Sequence, residues 1–240
     1  MKIPPLPETD LARIAPLPAD QKRNALEHFR LARPPYRYAP VRKSVSDILN
    51  VEAGFLGSLP RTPYSKIVET IIKESRTPDE VDANLRVAEG LYQHAEKHKL
   101  TGRRHDIFPM AIGTEQKVVY WHPLILSVAG RPLVPFFDPR RTATQLTTQG
   151  RRFAFSMMHE RIRAADPDFA EVALGIFQFS IPKVGPRIPR LFTDDGVVRF
   201  SFEELDRMVR DTYAIWREVC EERAEKARRT AGGVGGMFGS

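Results

Sequence analysis

The sequence predicts an α+β protein: an antiparallel sheet of two hairpins with packed helices, preceded by a helical N-terminal part. Three observations point there. Runs rich in β-branched and aromatic residues flank two turn signals, Ala129-Gly130-Arg131-Pro132 and Lys183-Val184-Gly185-Pro186, the pattern of a hairpin. Apolar residues recur at helical spacing over 62–99, 142–165 and 201–229. The apolar fraction is 42% of 240 residues, enough for a sizeable core.

The elements follow in order. Residues 1–44 hold eight of the twenty prolines and read as a basic, proline-rich arm with polyproline-like pieces. Between these pieces Asp20 can cap a short helix running to Ala32. Residues 45–100 form a helical subdomain. Its first helix spans Asp47 to about Phe55. Thr62-Pro63 opens the next, and Thr77-Pro78-Asp79-Glu80 a third, with Glu80 placed for a capping box. Residues 101–229 form an α+β body. Lys117 to Val128 and Leu133 to Asp138 make the first hairpin, and Thr142 opens a core helix to about Ala165. Val172 to Ile181 and Arg187 to Phe192 make the second hairpin, with a further strand at Val197 to Phe200. Ser201, with Glu204 three residues on, caps the last helix, which runs to about Arg229. Residues 230–240 are Gly-rich and read as a disordered tail.

Composition bounds the setting. No stretch of about 18 apolar residues is present, so no membrane span and no membrane partner are expected. The start of the chain has no apolar signal region. Cys220 is the single cysteine, which excludes an internal disulfide and a cysteine-bound zinc. A reducing, cytoplasmic compartment fits.

Charge is unevenly placed. The net charge is +7. Residues 101–163 carry ten Lys or Arg against four Asp or Glu, and residues 1–44 carry nine against four, while the other segments are slightly acidic. Arg103, Arg104, Arg140, Arg141, Arg151 and Arg152 in the first of these segments, with Arg37, Arg42 and Lys43 in the arm, suit an extended anion. Tyr36 and Tyr38 interleave with the arm's cations, as in surfaces that stack bases and hold phosphates. The leading expectation is therefore a nucleic-acid or nucleoprotein binder, DNA or RNA, without catalysis of its own and with no cofactor.

Two rival readings come from different chemistry. Asp106, Asp138, His159 and Glu160 could, if they converge, hold Mg²⁺ or Mn²⁺ for phosphodiester cleavage. A nuclease of the PD-(D/E)XK kind would also need a Glu-x-Lys on the following strand. That strand reads Ile176-Phe177-Gln178-Phe179-Ser180-Ile181-Pro182-Lys183 and has no acid, so the family is not assigned. His94 and His98 share one helix face at the spacing of a metal pair. The other rival is a non-catalytic protein–protein subunit, bound to a partner protein or to its own copy, whose arginines pair with carboxylates of this chain or of a partner. Phosphate loops, dinucleotide fingerprints and nucleophile elbows are absent from the sequence.

Overall fold

The computed structural model describes residues 3–30, 38–52, 60–106, 109–113, 116–141 and 144–233, with the side chains of 231–233 left aside. The chain begins with α1 (Glu8–Ile14), α2 (Ala19–His28), α3 (Ala39–Lys43), α4 (Val45–Ile48) and the two-residue strand β1 (Val51–Glu52). Two longer helices follow, α5 (Tyr64–Glu74) and α6 (Pro78–Lys97). Four short strands come next: β2 (Thr101–Arg104), β3 (Met110–Ile112), β4 (Gln116–Val118) and β5 (Leu124–Val128). The order then runs β6 (Arg131–Asp138), α7 (Thr148–Met158), β7 (Ala173–Ser180), β8 (Ile188–Thr193) and α8 (Phe202–Gly233).

The main sheet has the order β1-β2-β5-β6-β7-β8, and β3 with β4 forms a separate two-stranded ribbon. The architecture is α+β in outline, but the sheet is mixed. Both expected hairpins form, β5–β6 and β7–β8. The strands that join them, β6 and β7, run parallel, with Asp138 opposite Gln178. Parallel neighbours need a crossover, and α7 supplies it.

That pairing explains why β6 and β7 are buried along nearly their whole length. Val134, Phe136, Leu174 and Ile176 face a core completed by α1, α7 and α8. Leu133, Phe137, Phe177 and Phe179 point the other way, into a core built with α3 to α6. Alternate residues of the same strands thus feed two cores, one on each face.

The N-terminal segment is part of the first core. Leu11, Ile14 and Leu26 are fully buried there. Backbone and ring contacts tie it down: Leu6 N donates to the Tyr213 hydroxyl (3.1 Å), the Trp216 indole to Pro4 O (2.9 Å), and the Tyr120 hydroxyl to Glu8 O (2.7 Å).

Several helix boundaries follow the expected caps. Thr77 Oγ1 accepts from Glu80 N, and the Glu80 carboxylate accepts from Arg76 N. Ser201 and Glu204 form a reciprocal box, 3.2 and 2.8 Å. Other boundaries are corrected. The helix placed at Asp47 to Phe55 is instead the short α4 followed by β1 within the described residues. The strand placed at Lys117 to Val128 breaks into β4 and β5, since Pro123 cannot join the ladder. α7 begins at Thr148, capped by Thr147, rather than at Thr142, and ends in a turn of π-helix, His159–Arg163. Val197 to Phe200 is not a strand. α8 continues to Gly233, so the expected tail keeps only residues 234–240, which lie outside the described residues.

Candidate interaction surface

The arginines anticipated as a ligand surface are largely held by the protein itself. Asp138 ends β6 and is fully buried. One carboxylate oxygen accepts from Leu146 N (2.7 Å) and Gln178 Nε2 (3.0 Å), and the other from Arg140 Nε (3.0 Å). Arg140 also donates to Asp10 (2.8 Å) and to Thr9 O (2.9 Å), which fastens α1 to the end of the sheet. Arg151 donates to Gln178 Oε1 (3.0 Å) and Leu146 O (3.2 Å), and its guanidinium lies 4.2 Å from the Phe192 ring centre. Arg152 donates to Val198 O (2.6 Å) over the Phe200 ring. Arg140 is paired with carboxylates, the condition under which burial of a charge is tolerable, while Arg151 and Arg152 spend hydrogen bonds on neutral acceptors of this chain.

The remaining cations are dispersed. Arg103 and Arg104 sit exposed on β2, and Arg141 is exposed beyond β6. Arg42 donates to Phe137 O (3.4 Å), and Lys43 pairs with Glu74. Arg37 lies outside the described residues.

The catalytic candidates do not converge. Asp138 is tied through Gln178 and Arg151 to the first turn of α7, and His159 follows its last residue. Eleven helical residues separate the two ends, about 15 Å along the axis. His105 packs on Phe169, ring centres 4.8 Å apart, while Asp106 is exposed. Burial, with Arg199 and Arg163 nearby, lowers the pKa of His159. Burial beside Glu203 raises that of Glu160. His94 and His98 do meet, ring centres 4.3 Å apart. Burial, then His98 and Lys97, pushes the His94 pKa down to about 4. No group of three or more His, Cys, Asp or Glu that could hold a metal ion occurs among the described residues.

A different region presents a surface that sequence reasoning did not single out. Ile181 (37% exposed), Val184 (87%) and Ile188 (58%) project around the β7–β8 turn. Beside them lies a cleft of about 580 Å³ between this turn and the first half of α6. Its walls include Asp82, Arg86, Arg141, Ile181, Lys183 and Arg187. The turn is fastened to α6 by Arg187 N donating to Arg86 O (2.8 Å). Gly90 permits this approach, since a Cβ there would fall 1.7 Å from Arg187 O. The only local sequence signal was the Gly185-Pro186 turn. Nothing nearby in the chain announces that Arg187 is buried.

A mixed sheet with internally paired arginines and an exposed aliphatic collar has the makings of a protein-binding surface. Comparison with known proteins gives the class. The chain belongs to the SocB family, the sliding clamp-binding bacterial toxins, whose match spans residues 9–226. It is 36% identical over 238 residues to the DNA replication inhibitor toxin SocB of Caulobacter vibrioides (strain NA1000 / CB15N), covering 99% of this chain and 98% of that relative. No solved structure matches. The family overturns the nucleic-acid-binding reading, with its DNA-, RNA-binding and nuclease descriptions, because its members are described by a protein target. The physical reason is visible in the side chains. Arg140, Arg151 and Arg152 spend their donors on this chain's own acceptors.

Proposed function

We propose that this chain is a toxin that inhibits DNA replication by binding the sliding clamp, without chemistry of its own. The observation that carries the reading is the end-to-end likeness to a replication-inhibiting relative within a clamp-binding family. The likeness extends over 99% of this chain and 98% of that relative. Two features of the side chains support it. The acid and histidine candidates for a hydrolytic centre lie apart, and exposed aliphatic residues cluster at the β7–β8 turn. A standard protein interface buries about 800 Å² on each partner, and the exposed side chains of that turn, beside the cleft against α6, offer part of such a surface. Among the described residues no helix is long and apolar enough to cross a membrane. A cytoplasmic setting, the site of a clamp-directed toxin, agrees with the single cysteine.

Induced expression in dividing bacteria tests the proposal. Incorporation of labelled thymidine should stop before protein synthesis declines. Uninterrupted incorporation at high expression would overturn it.

A further inference from the structure

We propose that the cleft between α6 and the β7–β8 turn receives a carboxylate from an acidic segment of the partner protein. The inference rests on the reading that the chain acts by binding a protein clamp, and it names the contact.

Arg187 is 2% exposed. Its donors reach only neutral acceptors, Pro139 O (2.5 Å) and the Tyr38 hydroxyl (2.9 Å). Its Nε is buried and has no hydrogen-bond partner. Among the described residues no carboxylate lies within ion-pairing distance of Arg187. Among the described residues the fold therefore leaves this buried cation in the cleft lining without a directly paired carboxylate, an arrangement that costs stability wherever it occurs. Arg86, on the wall, repeats the theme. Its guanidinium donates to Gly185 O (2.9 Å) and Pro182 O (3.0 Å), carbonyls that leave its charge uncancelled. Lys183 stands exposed at the mouth. The low-dielectric floor lets the Arg187 field persist to the mouth instead of being screened.

The aliphatic surface at the turn selects the kind of anion. Ile181 lines the cleft and Val184 stands exposed on the same turn, apolar surface that can keep water from a pair formed there. Asp79 and Asp82 also line the cleft. These two carboxylates would repel a phosphate dianion more than a single carboxylate. A partner Asp or Glu flanked by apolar residues satisfies both conditions. The carboxylate is placed among Lys183 and Arg86, above Arg187.

The test is the affinity of the full chain for the sliding clamp, measured by calorimetry for wild type, Lys183→Glu and Val184→Asp. Both positions are exposed, so the variants keep the fold, and an unchanged denaturation midpoint verifies it. Each should weaken binding about tenfold or more, and the wild-type affinity should fall as salt rises. Unchanged affinity in both variants overturns the cleft proposal and leaves clamp binding standing. Absence of wild-type binding overturns the functional reading, and this inference with it. Competition by millimolar inorganic phosphate, stronger than by equal chloride or acetate, overturns it in favour of a phosphate site.

Discussion

Two buried arginine settings in this molecule differ in one respect, and the difference separates architecture from surface. At the end of β6, Arg140 is matched to the carboxylates of Asp138 and Asp10. At the α6–β8 junction, Arg187 donates to a carbonyl and a hydroxyl and lies over the Tyr38 ring, with no carboxylate in ion-pairing contact among the described residues. The first set completes a network that binds α1, β6, β7 and α7 together. The second leaves a net charge beside a cleft. Counting arginines along the chain treats the two alike, although one is neutralised by carboxylates and the other is not.

Breaking the paired set should have the largest effect. Asp138→Ala removes the acceptor for Arg140, Gln178 and Leu146 N at a fully buried point. It should destabilise the fold by about 3–5 kcal/mol, the cost of orphaning one partner of a buried pair. Urea denaturation would reveal it as a markedly lowered midpoint. A loss below about 1 kcal/mol would mean that the network is ornamental.

Gly90→Ala comes next. Its Cβ would collide with the Arg187 carbonyl, forcing the β7–β8 turn off α6. A loss of about 1–3 kcal/mol is expected from overpacking of this kind, together with reduced clamp affinity. Wild-type stability would show that the turn's position is not set by this helix.

The acid response should be intermediate and separable from both sites. Burial holds His94 and His122 at pKa values of about 4, below the unfolded value near 6.5. The unfolded chain therefore binds these protons first, and stability falls as pH drops from about 6.5 towards 4. Denaturation midpoints at pH 7 and pH 5 should differ in that direction, and His122→Phe should remove part of the slope. A midpoint that rises on acidification would contradict the assignment.

The smallest effect on folding is expected at Arg187. Arg187→Met removes a cation that has no counter-ion, so its lost hydrogen bonds are offset by relief of a buried charge. The net change should be below about 1 kcal/mol. A loss as large as that of Asp138→Ala would erase the contrast between the two settings.

Local chemistry made much of the fold legible. Thr77, Ser201 and their glutamates mark two helix starts, and Gly130 and Gly185 mark the hairpin turns. What escaped was long-range. β2 reads Thr-Gly-Arg-Arg, with only Gly102 buried, and so carries no apolar alternation. The parallel pairing of β6 with β7 has one signature, near-continuous apolar sequence, which reads equally well as a core hairpin strand. The candidate surface at the β7–β8 turn was the least legible. Arg140 finds Asp10 across 130 residues, and Tyr38 reaches Arg187 across 149. Whether a given arginine is matched or left uncancelled is decided by such meetings, not by its neighbours in sequence.

The proposed action of this chain is to bind a protein, the sliding clamp. Light scattering on an equimolar mixture of the purified chain and clamp, at moderate salt, puts that binding to the test. A single species with the summed mass of clamp and chain is predicted. Two species eluting at their separate masses, at micromolar concentration and low salt, would contradict it.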